Sequence, residues 1–308
     1  MKPELSIIIV NYNVKELLKS CLASIYASCK PEQVEVIVVD NASSDGSREF
    51  IIPVFPQVMW IENKMNTGFS GANNQGMNLA KAPVILLLNP DTEIKQDAIQ
   101  TLLSGLEKSE ASDVVVPRLL NSDGSLQPSC WKFPGLMNIV LETFYLHTHF
   151  LPTTYSASTY VNDFDPQAAS GAALMFRKSL FESIGGLDPD LFWMEDTDFC
   201  YRISKAGGKI HYVAQAEILH HSGKSSLKNL PVVITNQLIS KIKYMRKHYG
   251  SFYFLISSLF IFLHLLSRCI VFSLTSIMKQ EHRVKRRAYF FALRKYFGYL
   301  WNPQITLR

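Results

Sequence analysis

Three short stretches hold side chains that could do chemistry: Asn89-Pro90-Asp91, Glu195-Asp196-Thr197-Asp198 and His220-His221. Asp91 follows the apolar run Val84–Leu88, so it is a carboxylate placed just past a buried strand. Mg²⁺ and Mn²⁺ favour carboxylates, substrate phosphates and water, and Asp91 suits that role. The acidic cluster follows Phe192-Trp193-Met194. Apolar walls raise a carboxylate's pKa and strengthen it as a base. Capping a helix that starts near Asp196 would explain one or two of these acids by itself, because acids in a first turn suit the helix dipole. His220 and His221 end a strand-like run and precede Gly223 and Ser225. Neighbours on a strand point to opposite faces, so one of the two, not both, is a candidate ligand for a given ion.

The elements around these residues alternate. Leu5–Asn13 is a continuous β-branched run, as in a strand buried on both faces. A helical pattern follows, with Leu17, Leu18, Cys21, Leu22 and Ile25 on one side. Further strands are expected at "VEVIVVD", "VMWIEN", "VILLLNPDTEI" and "DVVVP", with helices at "GFSGANNQGMNLAKA" and near Gln96–Glu107. This alternation predicts a parallel sheet with helices on both faces. In such sheets ligands bind at the carboxyl ends of strands. Four polar clusters sit there: Asn11-Tyr12-Asn13, Asp40-Asn41, Asn63–Asn66 and Asn89-Pro90-Asp91. Turn preference explains one such cluster, and four point to a binding site. Residues 121–168 hold Pro128, Pro134, Pro152 and Pro166 and read as a loop-rich insertion or lid. Order returns with a strand over Ala172–Arg177, a helix over Ser179–Ile184, a Gly-Gly turn, an acidic loop, a helix through Lys205 and a strand.

The turn after the first strand is Asn-Tyr-Asn, not Gly-x-Gly-x-x-Gly, and no Walker loop occurs. A nucleotide fold without either phosphate cradle implies a metal ion as the partner of a diphosphate.

The chain of 308 residues is 47% hydrophobic, enough for a large core and one or two domains. From Gln237 to Arg308 there are 13 Lys/Arg against one acid, Glu281, a charge of +12; this leaves −7 for the rest of a chain whose net charge is +5. An acidic body with a basic tail does not fit a nucleic-acid binder and does fit an anionic lipid surface. The five cysteines are odd in number and form no Cys-x-x-Cys, so reduced thiols in a cytosolic setting are expected, without zinc. The run Ile7–Val10 is too short for a signal peptide.

Phe252–Met278 carries one charge, Arg268, and is long enough to span a bilayer. At 100° per residue, Ser257, His264, Arg268, Thr275 and Lys279 fall on one narrow stripe. The stripe favours a helix lying in the interface, or packed against a partner helix, over a lone span. The next segment, "HRVKRRAYFFALRKYFGYLW", mixes Arg and Lys with aromatics as interfacial helices do.

"SIIIVNYN", "VVDNASSDGS", "NTGFSGANNQG", "LLLNPDTEI", "GAALMFRKSLFESIGGLDPDLFWMEDTDFCYRI" and "HHSGKSS" stand in the order seen in family 2 glycosyltransferases. The sequence resembles the bacterial rhamnosyltransferase-like branch over roughly residues 4–227. The resemblance implies a GT-A fold, a Rossmann-like, mostly parallel α/β sheet. It also implies a nucleotide-diphosphate-sugar donor (dTDP-rhamnose or a UDP-sugar), Mn²⁺ or Mg²⁺, and inversion at the anomeric carbon. By the same likeness, Asp40 holds the nucleotide base, and Asn11 and Tyr12 line the nucleoside pocket. Asn66, Gly68, Phe69 and Asn73 match the donor-side loop. Asn89-Pro90-Asp91 takes the place of Asp-x-Asp, with Asp91 a metal ligand and Asn89 facing a ribose hydroxyl or a metal-bound water. Asp196 matches the general base, Trp193 and Glu195 stand on the acceptor side, and His220 matches a metal-binding histidine.

The expected organisation is a GT-A catalytic domain over residues 1–236, with a nucleotide-sugar half to about residue 120 and an acceptor half beyond it. A basic, aromatic helical region over 237–308 then associates with membrane. The expected function is transfer to a lipid-linked saccharide in bacterial surface-polysaccharide or cell-wall assembly. The expected place is the cytoplasmic face of the inner membrane, as a peripheral or monotopic protein. Two rivals are a processive synthase and an inactive sugar-nucleotide binding protein. The first is disfavoured by the missing Gln-x-x-Arg-Trp and by having one candidate span, and the second rests on Asn89 alone.

Overall fold

The structure is a computed structural model that describes residues 2–111, 113–221, 230–276 and 279–301. Gly223, Ser225 and the end of the apolar run at residues 277–278 lie outside the described residues. In chain order the elements are β1 (Leu5–Asn11), α1 (Lys15–Ser28), β2 (Val34–Asp40), α2 (Ser47–Ile51), β3 (Met59–Glu62), α3 (Gly68–Leu79), β4 (Val84–Leu88), β5 (Thr92–Ile94), α4 (Ala98–Glu107) and β6 (Val114–Leu120). Then follow β7 (Cys130–Trp131), α5 (Leu136–Thr143), α6 (His147–Phe150), β8 (Ala168–Ala169), β9 (Ala173–Arg177), α7 (Lys178–Ile184), α8 (Glu195–Lys205), β10 (Ile210–His220), α9 (Leu230–Tyr249), α10 (Ser251–Thr275) and α11 (Gln280–Trp301). They form two compact units. One comprises Met1–Lys132, Thr154–Pro189 and Glu195–Ser222; the other comprises Phe133–Thr153, Asp190–Met194 and Gly223–Arg308.

The first unit is built on an eight-stranded sheet of order β3-β2-β1-β4-β9-β6-β10-β5. β1 pairs in parallel with β2 and β4, and β3 with β2. β9 runs antiparallel to β4 and β6, and β5 antiparallel to β10. β1 is buried along its whole length, as its β-branched run requires. Leu5, Ile7 and Ile9 join Leu18, Leu22 and Ile25 of α1 in the core. Ile8 faces the other way, onto α3. A Cβ at Gly76 would lie 2.4 Å from Ile8 Cγ2, so only glycine lets α3 sit this close to the sheet.

Three expected elements differ in the structure. "VILLLNPDTEI" is not one strand: β4 ends at Leu88, and β5 pairs with β10 at the far edge. Pro90 cannot donate to a ladder, and Thr92 Oγ1 donates to the Asn89 carbonyl at 2.7 Å, which fixes the turn. "DVVVP" continues through Pro117 to Leu120. β9 pairs with β6 only at Val114 and Val115, so Pro117 withdraws no bond from β9. Residues 121–168 hold the small sheet β7–β8, α5, α6 and a 3₁₀ turn over Ala157–Val161 rather than loop alone. The expected boundary after residue 236 falls inside α9, and Phe133–Thr153 belongs with the C-terminal unit. The five cysteines form no disulfide.

In the second unit α9, α10 and α11 pack on one another, and α5 packs on α10. The polar stripe of α10 turns inward: Ser257, His264 and Arg268 are buried. Arg268 donates to the carbonyls of Thr143 (2.7 Å) and Glu142 (2.8 Å) and lies 3.4 Å from the Tyr145 ring centre. Those are last-turn carbonyls of α5, at the negative end of its dipole; the Glu142 carbonyl also accepts from the Tyr145 N–H at 3.2 Å. Lys241 of α9 pairs with the Glu142 carboxylate.

Candidate active site

Asp91 and His220 are 129 positions apart and meet because of strand register. β5 pairs with β10 so that Thr92 lies opposite His220. The His221 N–H then donates to the Asp91 carbonyl at 2.8 Å. His220 Nε2 stands 3.3 Å from Asp91 Oδ1 and 3.4 Å from Asn89 Nδ2. His220 Nδ1 lies 2.7 Å from Gln127 Oε1. The Gln127 Nε2 group donates to Asn121 Oδ1 (2.9 Å) and to the His220 carbonyl (3.3 Å), which fixes the amide so that its oxygen faces the ring. An amide oxygen only accepts, so the bonding network assigns the proton of the neutral ring to Nδ1 and leaves the Nε2 lone pair toward Asp91. His221 points elsewhere, with Nδ1 2.7 Å from Ser122 Oγ and Nε2 3.0 Å from Glu93 Oε1. A cavity of about 260 Å³ lined by Asn121, Ser122, Asp123, His220 and His221 opens beside them.

This pair fits a divalent ion. Ligands of one octahedral Mg²⁺-type ion at about 2.1 Å lie roughly 3 Å apart. The His220–Asp91 spacing of 3.3 Å is close to that, and the ring is in the ligating tautomer. Among the described residues no cluster of three or more His, Cys, Asp or Glu could hold a metal. Asp91 and His220 would then supply two ligands, leaving the remaining positions to phosphate oxygens and water, as Mg²⁺ prefers.

Asp196 lies in the first turn of α8. Its Oδ2 accepts from the Gly171 N–H at 3.1 Å, and its Oδ1 accepts from the Thr197 N–H at 2.7 Å. Thr197 Oγ1 is held by the Trp131 indole N–H at 3.0 Å. Asp196 is half-buried, and desolvation pushes its pKa up to about 6 against the lowering pull of these hydrogen bonds. A Cβ on Gly171 would make ordinary contacts, 3.4 Å from Phe69 Cε1 and 3.6 Å from Asp196 Cβ, so the three residues lie against one another. Ala172, next in the chain, accepts from the Asn89 N–H at 2.9 Å. The Gly171-Ala172 step therefore joins Asp196 to the Asn89–Asp91 turn.

The asparagine-rich strand ends form one network. Asp40 is 4% exposed; its Oδ1 accepts from Asn11 Nδ2 at 2.6 Å and its Oδ2 from the Ser43 N–H at 3.0 Å. Asn41 joins Asn66 (Nδ2 to Oδ1, 2.8 Å) and accepts from the Thr67 N–H at 2.9 Å. Asn66 Oδ1 also accepts from the Gly68 N–H at 2.8 Å, where Gly68 has φ of 79°. Tyr12 is half exposed at the rim. Asn73 is buried and donates to the Phe69 carbonyl in its own helix at 3.0 Å, so it positions Phe69.

Two other acids of the cluster differ in use. Asp198 is buried and accepts from Arg202 Nε at 2.8 Å; Arg202 in turn holds the Ile184 and Gly186 carbonyls, so this pair anchors the Gly-Gly turn. Glu195 lies beside Asp196 in the first turn of α8. Trp193 belongs to the other unit, 41% exposed, with φ of 73°. That backbone is rare for a bulky residue. Sequence reasoning gave no individual role to Gln127, Gly171, Thr197 or Asn41. Only Asn41 carried a signal, as the neighbour of Asp40 in a strand-end cluster.

The chain is 29% identical over 243 residues to the N-acetylglucosaminyl-diphospho-decaprenol L-rhamnosyltransferase of Mycobacterium tuberculosis, covering 73% of this chain and 78% of that protein. It is 27% identical over 225 residues to the rhamnosyltransferase WbbL of Escherichia coli K12, covering 70% and 83%. Among solved structures, a mannosyltransferase from Pyrobaculum calidifontis in complex with GDP-Man and Mn²⁺ superposes with a TM-score of 0.59 at 16% identity, covering 99% of this chain and 89% of that one. That likeness gives the fold, GT-A. The profile described as "Glycosyl transferase family 2" matches residues 6–185, and the chain, an enzyme that transfers sugar, belongs to that family.

Proposed function

We propose that this glycosyltransferase moves a sugar from a nucleoside-diphosphate donor to a hydroxyl of a lipid-linked saccharide, with inversion, at a bacterial membrane surface. The observation that carries the reading is the Asn89–Asp91 turn joined through Gly171-Ala172 to a single half-buried base, Asp196. Asp196 takes the proton of the acceptor hydroxyl, whose oxygen bonds to the anomeric carbon as the bond to the diphosphate breaks. One displacement with one base inverts the configuration. The N–H groups of Gly171 and Thr197 hold the carboxylate in one orientation. Asp91 and His220 would hold Mn²⁺ or Mg²⁺, which supplies charge neutralisation of the leaving diphosphate when bound. The Asn11–Asp40 and Asn41–Asn66 pairs support the rim that would receive the nucleoside, with Tyr12 at its edge. By the family likeness, Glu195, next to Asp196, is assigned to the acceptor.

Support for the acceptor class comes from the Mycobacterium tuberculosis relative, named for a diphospho-decaprenol-linked sugar. The polyprenyl-linked acceptor and the basic tail together favour work at the cytoplasmic face of the inner membrane, in surface-polysaccharide assembly.

The test is turnover of a sugar-nucleotide panel, including dTDP-rhamnose and UDP-sugars with Mn²⁺, on a polyprenyl-diphosphate-linked saccharide. NMR then reads the anomeric configuration of the product. An inverted, metal-dependent product is expected. Retention, or turnover indifferent to chelator, would overturn that part of the reading.

A further inference from the structure

Length and a mean hydropathy of 2.1 would by themselves let α10 cross a bilayer. Its packing does not. The inward side carries Ser257, His264 and Arg268, all buried within the unit. The outward side carries Phe252, Leu255, Leu259, Leu263, Leu266, Ile270 and Leu274, all exposed. These recur at steps of three and four, so they form one apolar row along the helix.

α11 lies antiparallel along α10. The Tyr296 hydroxyl donates to the Ser258 carbonyl at 2.8 Å, the His264 and Tyr289 rings are 6.1 Å apart, and Phe272 meets Tyr289 at 5.4 Å and His282 at 5.3 Å. The exposed row of α11 is Arg283, Arg287, Phe290, Arg294, Phe297 and Trp301, again at steps of three and four. The ring contacts set Arg287 and Arg294 level with the middle of α10. If α10 spanned, these arginines would face lipid at mid-depth, where charge is strongly disfavoured. A helix lying in the interface places apolar residues below the head groups and arginines among them.

We propose that the outward rows of α10 and α11 form a docking face that lies in the plane of an anionic lipid bilayer, and that α10 does not cross it. The occupant is a lipid surface, because a row alternating Arg with Phe and Trp matches anionic head groups over acyl chains. The segment from Gln237, at +12, adds long-range attraction. The proposal rests on the reading that this enzyme serves a lipid-linked acceptor.

The full chain is tested in two ways. In flotation, wild type is expected to rise with vesicles of phosphatidylcholine mixed with phosphatidylglycerol and to rise far less with phosphatidylcholine alone. Arg287→Gln with Arg294→Gln is expected to weaken anionic-vesicle partition about 30-fold, from about 1 kcal/mol per basic residue near such a surface. Topology is read with Ser251→Cys and, separately, Gln280→Cys, using a membrane-impermeant maleimide on the expressed protein. Both positions should label in inverted inner-membrane vesicles and neither in intact spheroplasts. Labelling of either position in spheroplasts shows a span and overturns the proposal. So does unchanged partition of the double variant. Absence of vesicle binding together with a dimer that Leu263→Asp breaks assigns the face to a second copy and overturns it as well. Loss of wild-type sugar-nucleotide turnover sinks the transferase reading and leaves these measurements standing.

Discussion

Gln127 Oε1 lies 2.7 Å from His220 Nδ1, and the other end of the same amide is held by Asn121. This makes Gln127 the residue that sets which ring nitrogen of His220 can bind a cation. Gln127→Leu is expected to abolish the preference for the Nδ1–H tautomer, read from side-chain ¹⁵N shifts. Mn²⁺ affinity with nucleoside diphosphate present should fall about 10–100-fold. Gln127→Glu keeps an acceptor at Nδ1 and should restore most of both. An unchanged tautomer in Gln127→Leu would show that Gln127 does not set it.

The two histidines can be told apart. Asp91→Ala and His220→Ala are each expected to weaken Mn²⁺-dependent donor binding by at least tenfold in calorimetry, whereas His221→Ala should leave it near wild type. His221 faces Ser122 and Glu93 instead of Asp91. The reverse pattern would move the site to His221.

Asp196→Asn is expected to reduce kcat by about 10²–10⁴-fold while donor binding persists, since a general base contributes that much. Asp196 accepts a proton only when ionised, and burial pushes its pKa up to about 6. In wild type kcat/KM should therefore rise with pH up to about 6 and level off above it, with metal held saturating. The same shift has a cost in stability. The folded chain keeps this proton up to about 6 and the unfolded chain loses it near 4, so that contribution to stability is lost as pH rises through 6. A profile flat across pH 6 would remove Asp196 from the role.

Arg268→Met is expected to destabilise the protein by about 1–3 kcal/mol in chemical denaturation, because the Thr143 carbonyl loses its guanidinium donor in a buried place and the Glu142 carbonyl keeps only its backbone donor from the turn. Arg268→Lys should recover part of the loss. No change on Arg268→Met would mean that the end of α5 finds other partners.

The sequence alone settled what is local. The β-branched runs dictated the strands, their polar ends marked the binding edge, and Asp91 and Asp196 stood out because each follows an apolar stretch in its own motif. Only the tertiary structure decided what depends on register and facing. The pairing of β5 with β10 set His220, not His221, against Asp91, since alternate strand residues point to opposite faces. Asp198 belongs to Arg202, a partner on the same helix, while Asp196, two residues earlier in the same turn, meets Gly171 from a distant strand end. Gln127 had no local mark, because its role exists only where a remote ring nitrogen comes within 2.7 Å. The stripe on α10 was legible from helical period, but its direction was not. Burying Arg268 became favourable only once the carbonyls of α5 were there to receive it, and that turned the apolar row outward.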